Sequence, residues 1–206
     1  MEKEIRTKRE DREANIRKIQ HNLIGDRYAG ATLSSIYIGT KKEGENGDES
    51  SQKIIEWITN NKNFLVYLGT AGIGKTYFCS AMIPWIHDKV RNYRYWKERD
   101  FFSKIRAAMT NEKGDWQDSM HYLLDYEFFM YDDLGSIGIN EWRAEIIFNM
   151  IDMRYESRLP TIFTSNLTKE ELMTSLGKRI SSRLFAKENL VIENHDGQDL
   201  RQVIFQ

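Results

Sequence analysis

From residue 64 onward, short apolar runs alternate with longer segments whose apolar residues recur at helical spacing. The runs are "FLVYLG" (64–69), "NYRYW" (92–96), "YEFFMYDD" (126–133), "PTIFTSN" (160–166) and "NLVIE" (189–193). The helical segments fall near 75–90, 98–110, 141–157, 169–175 and 177–186. This alternation predicts an α/β fold in which helices cover a parallel sheet. Asn140 can cap the third helix, and Thr168 with Glu171 forms a capping box for the fourth. Pro84, inside the first, should kink or end it. Upstream, residues 1–24 read as a charged helix carrying Ile5, Ile16, Ile19, Leu23 and Ile24. "KKEGENGDESS" (41–51) has loop composition, and 51–60 reads as a short helix with Ile54, Ile55 and Ile58.

Composition narrows this picture modestly. The chain has 206 residues, 40% hydrophobic and 12% aromatic, enough for one domain with a sizeable core. Net charge is −1, so nucleic-acid binding would need a local patch. The single cysteine, Cys79, excludes an internal disulfide and, on an amphipathic helix, reads as a packed core thiol. No apolar run approaches a membrane span, and "MEKEIRTKREDRE" has no signal-peptide core. A cytoplasmic location is expected, with no membrane partner.

Chemistry concentrates where the first run ends. "GTAGIGKT" matches G-x-x-x-x-G-K-[ST] over Gly69, Thr70, Ala71, Gly72, Ile73, Gly74, Lys75 and Thr76, between an expected strand and an expected helix. Glycines let the backbone curl so that successive N–H groups face a phosphate, and the helix start adds positive potential. Lys75 would reach the β- and γ-phosphates of ATP, and Thr76 would hold Mg²⁺. Tyr77, next on the helix, joins the cofactor-binding set. The third run ends in Asp132 and Asp133 at the sheet edge where ligands of open α/β sheets bind. Asp132 would hold Mg²⁺ and Asp133 would orient and deprotonate the attacking water. Asn166, ending the fourth run, offers an uncharged amide to water or the γ-phosphate. Alone, the acidic pair or Asn166 would be an ordinary turn.

Arg179 and Arg183 lie four residues apart in "LGKRISSRL", on one helix face, and no acid stands between Leu172 and Ala186. Solvation by water is the ordinary fate of such a pair.

Taken with "FFMYDDLG", "NEWRAEIIFNMIDMRYESRLPTIFTSNL" and "IGDRYAGATL", these motifs make the chain resemble the AAA+ ATPases. Within them it resembles the DnaC/DnaI helicase loaders and their IstB-type insertion-sequence relatives, over about residues 24–206. The resemblance implies a P-loop NTPase three-layer sandwich with a five-stranded parallel sheet in the order 5-1-4-3-2. It also implies an ATPase core over 25–206, without a helical lid, assembling as a ring or spiral with ATP between subunits. Arg183 matches the family's arginine finger, supplied in trans, which would account for the missing acid; Arg179 would support it or meet the same phosphates. Arg201 in "DLRQ" matches a late sensing arginine. Asp133 stands where many members have Glu, which implies slower turnover. Only about 25 residues precede the core, where loaders carry a larger helicase-binding domain.

Between Lys89 and Arg106, basic residues interleave with Tyr93, Tyr95, Trp96, Phe101 and Phe102. Single-strand binders combine cations with aromatic platforms, but an ordinary strand and helix would bury the aromatics. The family's use of this region for single-stranded DNA marks Lys97, Arg99, Lys104 and Arg106 as the candidates. The N-terminal helix is likewise either solvated or a partner-binding stripe at Ile16, Ile19 and Leu23. The functional expectation is a helicase loader serving a phage or plasmid replicon, with the replicative helicase and single-stranded DNA as partners. The alternatives are an IstB-like transposition ATPase, an ATP-binding adaptor with little hydrolysis, and a small-molecule P-loop kinase.

Overall fold

A computed structural model of the chain describes residues 2–33, 53–54, 56–59, 63–110, 125–195 and 199. The expected loop at 41–51 and the sensing residue Arg201 lie outside them. All five expected strands form: β1 (Phe64–Gly69), β2 (Tyr93–Lys97), β3 (Phe128–Asp132), β4 (Thr161–Ser165) and β5 (Leu190–Asn194). They pair in parallel in the order β2-β3-β4-β1-β5. That is the expected order 5-1-4-3-2 read from the other edge. The sheet is covered by α1 (Glu2–Leu23), α2 (Lys75–Lys89), α3 (Glu98–Met109), α4 (Glu141–Glu156) and α5 (Lys169–Leu184). Residues 53–54 and 56–59 are helical, and Ile54, Trp57 and Ile58 are buried.

Strand alternation builds the two cores. Phe64, Val66 and Leu68 of β1 join Phe101, Phe102 and Ile105 of α3, Ile147 and Met150 of α4, and Leu172 and Ile180 of α5. Leu65 and Tyr67 point the other way, into a cluster with Phe78, Met82, Ile83 and Ile86 of α2 and with Trp57. Cys79 is buried in that second cluster, as a core thiol. Both faces of the sheet are therefore covered, giving three layers. Arg154 of α4, wholly buried, ties the layers at the sheet's lower end: it donates to Thr161 Oγ1 at 2.7 Å, to the Tyr126 carbonyl at 2.9 Å and to the Pro160 carbonyl at 3.2 Å.

Helix ends follow local chemistry. The Asn140 side chain accepts from the Arg143 N–H, and Thr168 and Glu171 complete the capping box. Gly177, with φ 76° and ψ 166°, interrupts α5 where two helices were expected to meet. Only a residue without Cβ adopts that conformation cheaply.

Pro84 does not end α2, which runs on to Lys89. Proline removes the N–H that would bond the carbonyl of Ser80, four residues earlier. Here the buried side chain of Gln20, from α1, donates to that carbonyl at 2.9 Å. The same amide donates to the Ala31 carbonyl at 2.8 Å and accepts from the Gly30 N–H at 2.7 Å. Ile16 is buried beside it, and Ile19 and Leu23 pack on the α2-side core. The stripe at Ile16, Ile19 and Leu23 of the N-terminal helix thus packs against its own chain.

A consequence can be measured. Gln20→Ala removes the donor to the Ser80 and Ala31 carbonyls and the acceptor of the Gly30 N–H; the Ser80 carbonyl left without a donor costs about 1–3 kcal/mol. A melting temperature lower by roughly 2–12 °C is expected. The loss should shrink in a Pro84→Ala background, where the backbone again supplies the donor. Equal losses in both backgrounds would show that the Ser80 carbonyl is not what Gln20 serves.

Candidate active site

β1 delivers the chain to the loop, and α2 begins at Lys75. Gly72 (φ 92°) and Gly74 (φ 94°) are both left-handed, and Gly74 is the N-cap of α2. A Cβ on Gly72 would sit 2.0 Å from a carboxylate oxygen of Asp199, so that acidic side chain rests directly on the loop. Thr70 and Ala71 are exposed, Ile73 is buried in the α2-side core, and Tyr77 is half-buried. Lys75 as a residue is only 5% exposed. Its ammonium donates to the carbonyls of Gly69 at 2.6 Å and Thr70 at 2.8 Å, and to Asn166 Oδ1 at 2.7 Å.

Asp132 ends β3 fully buried. Its Oδ2 accepts from Thr76 Oγ1 at 2.8 Å and from Tyr95 Oη at 2.6 Å; its Oδ1 accepts from Thr164 Oγ1 at 2.5 Å. Burial, then the Asp132 charge, pushes the Tyr95 phenol far above its usual range. Buried charges are ordinarily paired or coordinate metals. Asp132 is bonded by three hydroxyls, and Thr76, whose O–H donates to Asp132, keeps oxygen lone pairs for a cation. The donor set of Thr76 and Asp132 thus fits a hard divalent ion such as Mg²⁺.

Asp133 lies one residue past β3 with φ 65°, a left-handed conformation uncommon outside glycine. Thr164 Oγ1 accepts from its N–H at 3.0 Å, and the Asn166 amide donates to its Oδ1 at 3.3 Å. Burial and then Asp132 raise the Asp133 carboxyl, while Lys75, Lys97 and Asn166 pull it back. Lys75, Asn166 and Asp133 thereby form one chain of contacts across the sheet's C-terminal edge. The turn that follows is held by Glu98, a buried carboxylate at the start of α3. It accepts from the Gly135 N–H at 2.9 Å, and from the Ser136 hydroxyl and the Ile137 N–H at 3.1 Å each.

With this geometry in place, similarity to known proteins is informative. The family model described as IstB-like ATP binding protein matches residues 7–185. The chain belongs to that family. Among relatives, the replicative helicase loader DnaC of Escherichia coli K12 is 23% identical over 196 residues, covering 93% of this chain and 80% of that one. An insertion-sequence ATP-binding protein of Bacillus thuringiensis is 25% identical over 122 residues. That match covers 57% of this chain and 48% of the relative, so the chain spans about half the length of that protein. A crystal structure of the DnaC helicase loader superposes with a TM-score of 0.66 at 24% identity, covering 81% of this chain and 98% of that one. The initiator DnaA bound to AMPPCP and single-stranded DNA gives 0.65 at 18% identity, over 81% and 51% of the two chains. At these identities the structures establish the P-loop AAA+ fold.

This IstB-like protein answers the charge of its two arginines differently from the sequence expectation. Arg183 is ion-paired with Asp152 of α4, and its guanidinium lies 5.3 Å from the Phe148 ring centre. Arg179 stacks on the same ring at 3.8 Å. The missing acid was never missing; it sits one turn beyond Phe148 on α4. The assignment of Arg183 as a finger acting in trans rests on the family resemblance, and with Asp152 present it is no longer needed to account for a missing acid.

The DNA candidates separate as well. Lys97 and Lys104 line one cleft of about 350 Å³ with Arg94, Trp96, Asp100 and the last turn of α1 at Asn22 and Leu23. Arg99 is exposed outside that lining, and Arg106 lies over the Trp142 ring at 5.7 Å. Tyr95, Trp96, Phe101 and Phe102 are buried in the cores, so they are not free platforms for bases. Among the described residues, no helix is long and apolar enough to cross a membrane.

Sequence reasoning missed Tyr95, Thr164, Glu98 and Asp199. Tyr95 stands one residue, and Thr164 two, before the C-terminal end of its apolar run, so both could have been placed near the ligand-binding edge. Glu98 and Asp199 carry no such signal, because their partners are set by turns.

Proposed function

We propose that this chain is a slow ATPase that loads a replicative helicase onto single-stranded DNA, hydrolysing Mg²⁺·ATP between subunits of a ring or spiral. The reading places it in the bacterial cytoplasm, on a phage or plasmid replicon. The observation that carries the catalytic half is the contact chain of Lys75, Asn166 and Asp133 beside the Thr76–Asp132 pair. An ammonium for phosphate, a buried carboxylate for metal, and a second carboxylate held by an amide are the parts that water-mediated phosphoryl transfer needs. A bound Mg²⁺ would neutralise charge on the phosphate oxygens. A kinase should exclude water rather than hold a carboxylate ready for it. Asp133, shorter than the family's usual Glu, is the reason to expect slow turnover.

The loader half is supported by the near full-length similarity to DnaC and by the basic cleft, where Lys97 and Lys104 would meet the phosphates of a strand. A transposition ATPase is the second reading, favoured by the family match and the insertion-sequence relative. The deciding experiment gives the protein ATP, the hexameric replicative helicase of its host and circular single-stranded DNA, and measures helicase bound to the circle. ATP-dependent deposition is expected. It should fall about tenfold in a Lys97→Glu, Lys104→Glu variant, whose strand binding should also lose roughly 0.7 units of salt slope per contact. Stable folding with no helicase deposition, but with ATP-dependent retention of a transposase, would replace the loader by the second reading.

A further inference from the structure

The environment of Asp132 is more specific than the retention of a buried acid requires. Three hydroxyls reach it from α2, β2 and β4, and they divide unequally between its oxygens. An ionised carboxylate offers about four acceptor positions, two on each oxygen. Thr76 and Tyr95 both donate to Oδ2, and Thr164 donates to Oδ1. Oδ2 is then filled, and the remaining acceptor direction belongs to Oδ1.

We propose that Tyr95 is a positioning residue for the metal site: by filling the second acceptor position of Asp132 Oδ2, it leaves Oδ1 alone to address the water shell of a divalent cation. The proposal rests on the nucleotide-site reading above. Tyr95 is suited to the task because little about it can move. β2 and β3 pair with Tyr95 opposite Met130, so the phenol reaches along the sheet to Asp132, two residues further on. Its ring is 5% exposed and packs in the α2-side core. A phenol so held donates from a fixed point, whereas a water in its place could turn or leave. Thr76 cannot substitute for it, because Thr76 must also follow the metal. Without the Tyr95 hydroxyl, Oδ2 regains an acceptor position and the carboxylate is free to rotate between two modes of addressing the ion.

Tyr95→Phe removes that hydroxyl and keeps the ring. The measurement is equilibrium binding of a fluorescent ATP analogue, titrated with Mg²⁺ and repeated in EDTA, beside a thermal melt. For the variant, the Mg²⁺ concentration giving half of the metal-dependent binding should rise roughly 10- to 150-fold, as expected for loss of one hydrogen bond to a charged group. Metal-free binding should stay within about twofold, since the phosphate loop is untouched. A changed melt with an unchanged Mg²⁺ requirement would overturn the proposal and leave Tyr95 a stabilising residue only. Equal weakening with and without metal would overturn it too, by placing the effect on the phosphate loop. Should the parent protein bind the analogue equally well in Mg²⁺ and EDTA, the metal site itself would be refuted, and that result is read from the parent alone.

Discussion

Lys75→Ala should lower ATP affinity by roughly 100- to 1000-fold while leaving the fold intact. Lys75 is buried but does not cement the core: its ammonium is bonded to Gly69 and Thr70 of its own loop and to the exposed Asn166. Those three acceptors hold the charge at the mouth of the loop, where a phosphate would compete for it. One full charge about 4 Å from a phosphate oxygen is worth on the order of 4 kcal/mol at the effective dielectric of a protein surface. Alanine forfeits most of that, and each 1.4 kcal/mol is tenfold in affinity. Titration with a fluorescent ATP analogue checks it, with circular dichroism as the control for folding. Asp133→Asn separates binding from chemistry. It preserves shape and the contact with Asn166, so ATP should still bind, while turnover should drop about 10²- to 10⁴-fold for want of a base. Hydrolysis at the parental rate would remove Asp133 from that role.

What could be read in the chain beforehand was whatever repeats or signals locally. The strands were legible because an apolar run at a sheet centre is buried on both faces, as β1, β3 and β4 are. The phosphate loop was legible because glycine spacing and the Lys-Thr pair are contiguous. The contacts that refine the site join distant positions. Tyr95 and Asp132 are 37 residues apart, and Gln20 and Ser80 are 60 apart. Pro84 shows the cost of local reasoning: proline does remove a helix bond, but a side chain from another helix supplies the donor. Arg183 shows it again, since a search of its own helix for an acid could not see Asp152 on the helix packed against it. The aromatic residues at 95–102 were ambiguous for a related reason. Core rings and base platforms have the same composition, and burial alone distinguishes them.

The Asp152–Arg183 pair sharpens the test of a shared active site. Arg183 and Asp152 are 24% and 31% exposed, so solvent screens the pair and its worth to the fold is about 1 kcal/mol or less. A residue with only that role, when cut to alanine, should lower the melting temperature slightly and leave hydrolysis per bound ATP unchanged. Asp152→Ala should then do the same, with the two losses not adding. An arginine that reaches a neighbour's γ-phosphate behaves otherwise. Arg183→Ala should keep ATP binding and lose roughly 10³-fold in hydrolysis, the scale on which a guanidinium stabilises phosphoryl transfer. Asp152→Ala should leave hydrolysis intact or raise it, because the acid competes with phosphate for the same guanidinium. Mixing Arg183→Ala with Lys75→Ala subunits should restore part of the activity, since one interface then joins an intact loop to an intact arginine. Arg179→Ala should do less, its guanidinium lying on Phe148. Matching small effects of Arg183→Ala and Asp152→Ala on stability alone, or joint assemblies of the two inactive proteins without rescue, would confine Arg183 to holding α5 against α4.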